Sequence, residues 1–118
     1  MTFSIVPLRT IAYARSGDKG DSANIGVIAY NAAGYAFLRE YLSADKVNAY
    51  FKPLGVTSTI RYELANLEAL NFVLNHVLAG GGSRSLRTDS QGKALGQAIL
   101  EMPIEIEDSI LKQARRSY

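Results

Sequence analysis

Two short stretches hold the side chains best suited to chemistry: ARSGDKGDSANIG at residues 14–26 and GGGSRSLR at residues 80–87. In the first, Arg15, Ser16, Asp18, Lys19, Asp21, Ser22 and Asn24 are interleaved with glycines. Glycine admits positive φ, so successive backbone N–H groups can turn into one concavity and cradle an anion, with Arg15 and Lys19 supplying charge. Asp18 and Asp21 are equally suited to a turn, accepting hydrogen bonds from nearby amides. In the second, Gly81 and Gly82 free the backbone, Ser83 and Ser85 add hydroxyls, and Arg84 and Arg87 offer forked donors that match phosphate or carboxylate. The plainer reading of this second stretch is a surface loop with solvated arginines, because ordering three consecutive glycines costs entropy.

Several chemistries are excluded. No GxxxxGK[ST] occurs, so the glycines are not a Walker loop. Two carboxylates three positions apart without further acidic neighbours make a poor cation cage, and no metal or cofactor is expected. The absence of cysteine removes disulfides, thiolate nucleophiles and cysteine-ligated zinc or iron–sulfur clusters. His76 has no serine or aspartate at triad spacing, which argues against a nucleophilic hydrolase. A general base at Asp18 or Asp21 would need a raised pKa, whereas Arg15 and Lys19 beside them act to lower it. No catalytic residue is assigned, and a shared-site or non-catalytic subunit is expected over an independent enzyme.

Thirteen basic residues against 11 acidic ones give a formal charge of +2, with no block of like charges, so nucleic acid is not an expected partner. No run approaches the ~20 apolar residues that span a bilayer, and no leader-type apolar segment follows a basic start. A cytoplasmic protein without membrane contact is expected.

The elements that must position the two stretches follow from the hydrophobic pattern. Length and a 47% hydrophobic content predict one packed domain over 1–118. Leu8–Ala14 and Ala23–Tyr30 read as strands of a hairpin with a wide polar loop, and Gly26 within the second marks a bulge or a close backbone approach. Tyr35–Leu42 reads as a short helix. Ser43 caps a second, ended by Pro53, with Lys52 pushed out of helix. Thr57–Leu64 alternates as a half-buried strand, with Ile60, Tyr62 and Leu64 on one face and Arg61 and Glu63 on the other. Tyr13, Tyr30 and Tyr62 stand where they could line a pocket.

Asn66 is placed to cap a helix through residue 80, with Leu67, Leu70, Leu74, Val77 and Leu78 as its stripe. Ser90 caps another carrying Ala94, Leu95, Ala98 and Ile99, which Gly92 and Gly96 weaken unless close packing on the sheet requires them. Met102–Ile106 reads as a last strand, and 107–118 as a polar helical tail beyond a core of about 8–106. The sum is the α+β class: an antiparallel or mixed sheet of about four strands with helices packed on one face.

The segments AYARSGDKGDSANIGV, RYELANLEALNFVLNHVLAGGGSRSLR and DSQGKALGQAILEMPIEI resemble the AtuA-like ferredoxin-fold family over roughly Leu8 to Ile106. These domains end acyclic terpene utilisation proteins or stand alone as small chains. The resemblance implies a ferredoxin-like α+β fold without an iron–sulfur cluster. It also implies a place in bacterial breakdown of branched or terpenoid acids as coenzyme A thioesters, beside a larger AtuA-type partner. It supplies no defined reaction. Two functions are therefore carried forward. One is an accessory domain binding an anionic metabolite, an acyl-CoA or a carboxylate, through both glycine-rich stretches. The other is an interaction module that docks on an AtuA-type enzyme or forms a homo-oligomer through an exposed strand.

Overall fold

A computed structural model describes residues 2–19, 22–76 and 91–115. The chain runs β1 (Phe3–Pro7), β2 (Ala12–Lys19), β3 (Ser22–Ala29), α1 (Ala32–Tyr41), α2 (Ala44–Phe51), β4 (Ser58–Leu64), β5 (Ala69–Asn75), α3 (Gln91–Leu100), β6 (Pro103–Glu107) and α4 (Asp108–Ala114). A four-stranded sheet has the order β2-β3-β5-β4, and β1 pairs with β6 in a separate ribbon. Every pairing is antiparallel. The α+β expectation holds: α1, α2 and α3 pack on the four-stranded sheet.

The inner face of that sheet is apolar with period two, as a half-covered antiparallel sheet requires. Ala23, Ile25, Val27 and Ala29 of β3 alternate inward and meet Leu70, Phe72 and Leu74 of β5. Leu38, Leu42, Val47, Phe51, Leu95 and Ile99 close over them from the helices. Asn31 caps α1 by accepting from the Gly34 N–H at 2.9 Å, and its own amide donates to the Gln113 carbonyl at the end of α4. Ser43 caps α2 in the same way through the Lys46 N–H at 3.1 Å. The Ser43 cap is legible in the chain as a serine ahead of an apolar run, whereas Asn31 starts α1 at Ala32, three residues ahead of the Tyr35 start that the apolar pattern predicts.

Four local expectations are corrected. The wide polar loop is instead strand: β2 pairs with β3 continuously from Ala12↔Ala29 to Lys19↔Ser22, leaving residues 20 and 21 between the strands. Backbone pairing with β3 engages alternate residues along β2, an edge strand, and outweighs the turn preferences of the side chains between Arg15 and Lys19. The helix expected over 66–80 is a strand over its described part, since Ala69–Asn75 pairs with β3 on one side and β4 on the other. Leucines at three- and four-residue steps coincide with Leu70, Phe72 and Leu74 at two-residue steps, and the central position between two strands decides for the shorter period. Asn66 lies in a 3-10 turn over Ala65–Leu67, and Glu68 takes φ 52° to enter the strand. Lys52 does not leave helical geometry before Pro53; it continues at φ −53° and ψ −40° into a 3-10 turn that Gly55 ends at φ 92°.

The fourth concerns β4. It is a strand as expected, but Ile60, Tyr62 and Leu64 form its solvent face. Arg61 points under the helices, where its guanidinium donates to the Arg39 carbonyl at 2.8 Å and the Leu42 carbonyl at 3.2 Å. Those carbonyls end α1 and have no donor within the helix, so a cation there satisfies them and complements the helix dipole.

The β1–β6 ribbon continues the body through a Leu8 N–H to Met102 carbonyl bond of 2.9 Å. Asp108 at the start of α4 accepts from the hydroxyls of Ser4 and Thr2 on the ribbon. Those two bonds, Ser4's first, hold its carboxyl below the ordinary range. A carboxyl lowered by folding stabilises the native state fully above the unfolded value of about 3.9, and the contribution disappears as pH falls through the folded value. Asp108→Asn is therefore expected to lower the thermal midpoint at neutral pH, with the gap to wild type closing as pH falls below about 4. A gap independent of pH would contradict this.

Candidate functional site

Among the described residues, no helix packs on the second face of the four-stranded sheet. Four rungs cross β2, β3, β5 and β4 in register there: Tyr13–Ile28–Ala69–Leu64, Arg15–Gly26–Asn71–Tyr62, Gly17–Asn24–Val73–Ile60, and Lys19–Ser22–Asn75–Ser58. The face grades from apolar at the first rung to polar at the last. On the last, the Ser22 hydroxyl donates to Asn75 Oδ1 at 3.2 Å, and Asn75 Nδ2 donates to the Ser58 hydroxyl at 2.9 Å. Tyr13, Ile60, Tyr62 and Leu67 are between 42% and 61% exposed, a concentration of apolar surface on one side of a small domain.

A groove of about 540 Å³ lies at the apolar end of this face. Tyr13, Ile28, Leu64, Leu67 and Ala69 form its walls, Gly17 and Gly26 its floor, and Arg15, Asn24 and Asn71 its polar side. Tyr13 is steadied by stacking on Tyr30 at 5.8 Å between ring centres. Arg15 is exposed. Among the described residues it is the one charged residue in the lining, and it forms no ion pair with another of them.

The sequence-predicted residues separate along the pleat. Arg15 and Asn24 line the groove, and Ser22 belongs to the polar rung. Ser16 also borders the groove, but its hydroxyl is engaged by α3, accepting from the Gly96 N–H at 2.8 Å. Asp18 is paired opposite Ala23 and Lys19 opposite Ser22. Asp21 and the whole second stretch, Gly81, Gly82, Ser83, Arg84, Ser85 and Arg87, lie outside the described residues.

The elements flanking that second stretch are both directed toward the β2–β3 end of the sheet. β5 runs toward it, with Leu74 opposite Ala23 and Asn75 bonded to Ser22. α3 runs antiparallel to β2: Gly96 sits on Ser16, while the far end of the helix lies by the first turn of the chain, where Glu101 pairs with Arg9. Its first residue, Gln91, is thus on the turn side. Gly96 permits this seat, because a methyl group there would lie 2.8 Å from Ser16 Oγ and 3.3 Å from Ser16 Cβ.

His76, expected within a helix, instead follows β5 at φ 67° and shares a hydrogen bond with the Thr57 hydroxyl. Among the described residues no cluster of three histidine, cysteine, aspartate or glutamate side chains could hold a metal. Within the same residues no charged or amide side chain is buried. Tyr50 has its phenol pushed up by burial and by the nearby Glu101 carboxylate, and donates to the Ala98 carbonyl at 2.8 Å, a structural role under α3. Sequence reasoning missed Ile28, Leu64, Leu67, Ala69 and Asn71 as lining, since an exposed apolar position in a strand looks like a core position until the covered face is known. Gly26 was the available signal.

The described residues form an α+β domain with helices on one face of the four-stranded sheet and a groove on the other. The family model described as the AtuA ferredoxin-like domain matches residues 6–105, and the chain belongs to that family. No curated protein and no solved structure matches it. Among the described residues no helix is long and apolar enough to cross a membrane.

Proposed function

We propose that this chain is an accessory domain that binds an anionic metabolite, a coenzyme A thioester or a free carboxylate, at the β2–β3 end of its sheet. The supporting observation is that β5 and α3, which flank residues 77–90, are both directed toward the end of the sheet where β2 gives way to β3 within the first glycine-rich stretch. The hydroxyl and carboxamide rung of Ser22, Asn75 and Ser58 lies at that end, and Arg15 stands two rungs away on the same face. Arg84 and Arg87 would add the forked donors suited to phosphate. With no candidate acid, base or nucleophile in an enclosed setting among the described residues, the reading is of binding and presentation, with any reaction belonging to a larger AtuA-type partner in the breakdown of branched or terpenoid acids.

Thermal denaturation with coenzyme A, octanoyl-CoA and phosphate tests the proposal. Coenzyme A ligands are expected to raise the midpoint, and Arg84→Ala combined with Arg87→Ala to remove most of that rise. No stabilisation by any of the three would overturn it. A docking module is the second reading, favoured by the exposure of Ile60, Tyr62 and Leu64 on β4, an edge strand. Light scattering and capture with an AtuA-type subunit address that reading directly.

A further inference from the structure

We infer that the groove on the open sheet face holds the hydrocarbon part of an apolar monocarboxylate, with the carboxylate against Arg15 and the chain laid over Gly26 toward Ile28, Tyr13 and Leu64. This deepens the reading above and rests on it only for the preference for an anion.

Gly26 is the first observation. It sits mid-strand in unbroken register between Arg15 and Asn71, so no bulge requires it. Its backbone is not in the left-handed region. A methyl group there would lie 3.8 Å from the Arg15 carbonyl oxygen and 3.9 Å from Asn71 Oδ1, ordinary contact distances, so no neighbour in the chain requires glycine either. A glycine that weakens a strand without a steric reason inside the fold leaves room for something outside it.

The chemistry of the walls then selects the occupant. Among the described residues the lining carries one cation, two carboxamides and otherwise apolar or small residues, and its volume of about 540 Å³ suits a small molecule. An inorganic anion would leave the apolar walls wet. A second copy of the chain seated by the same face would bring no acid to Arg15, because none of the residues on the four rungs is acidic, and would bury the guanidinium uncompensated. A monoanion with a hydrocarbon tail satisfies both ends.

Nitrogen–proton NMR titrations of the intact chain with octanoate, 1-octanol and acetate test this, using wild type, Arg15→Gln and Gly26→Ala. Octanoate is expected to shift the Gly26 and Asn71 amides saturably, with acetate and 1-octanol each at least about tenfold weaker. Arg15→Gln is expected to weaken octanoate about tenfold, close to the affinity of 1-octanol. Gly26→Ala is expected to raise the thermal midpoint while weakening octanoate, a combination that a purely structural glycine would not give. Absence of a saturable shift at Gly26, equal affinities for octanoate and octanol, or shifts that instead follow protein dilution would overturn the inference, the last by identifying a second copy as occupant. Free coenzyme A is the separating control. If it binds while octanoate does not, the groove inference fails and anion binding at the β2–β3 end stands. If octanoate binds while coenzyme A does not, the groove inference stands and coenzyme A recognition fails.

Discussion

Gly96→Val is expected to destabilise the protein by about 2 to 3 kcal/mol, the cost of overpacking a close contact. In an open helix, replacing glycine would help by up to about 1 kcal/mol through backbone entropy, so propensity alone predicts the opposite sign. Geometry decides. Even a methyl group at this position would lie 2.8 Å from Ser16 Oγ, and a branched side chain adds two more carbons to a gap that is already closed. Ser16 is short and stands on a paired strand, so relief must come from α3 lifting off β2. Urea denaturation reads the result as a lower midpoint with an unchanged slope. A midpoint equal to or above wild type would show that α3 does not sit on β2 at this distance.

Phe72→Ala should cost about 3 to 5 kcal/mol, a large part of the roughly 5 to 15 kcal/mol that holds a typical domain together. Phe72 is fully buried on the inner face, between Ile25 of β3 and Arg61 of β4 in register. Leu67→Ala, at a residue 61% exposed, should fall within about 0.5 kcal/mol of wild type. The pair separates the two periodicities. A helix over 66–80 would bury Leu67 with Leu70 and Leu74 and leave Phe72 off the stripe, so it predicts the reverse ranking. Comparable costs for the two variants would contradict the sheet register of β5.

The positions of the Ser43 cap, of α2 and of β4 were readable because each depends on local chemistry: Ser43 accepts from the amide three residues on, and β4 alternates. What was not readable depends on neighbours. Leu67, Leu70 and Leu74 satisfy a helical period and Leu70, Phe72 and Leu74 a strand period; only the presence of β3 and β4 on either side chooses. Ile60, Tyr62 and Leu64 turn outward while Arg61 reaches the end of α1, a tertiary contact that no pattern within β4 encodes. Of the candidate site, Arg15, Ser22 and Asn24 were singled out by residue type, and the structure moves them from a loop to a sheet face. The apolar lining was hidden because burial and ligand contact use the same residue types.

Calorimetric titration of octanoyl-CoA into the intact chain tests most directly whether this domain recognises an anionic metabolite. The account predicts a saturable heat with one molecule bound per chain, weakened at least about tenfold both by Arg15→Gln and by Arg84→Ala with Arg87→Ala. A featureless titration, or an affinity indifferent to all three arginines, would contradict it.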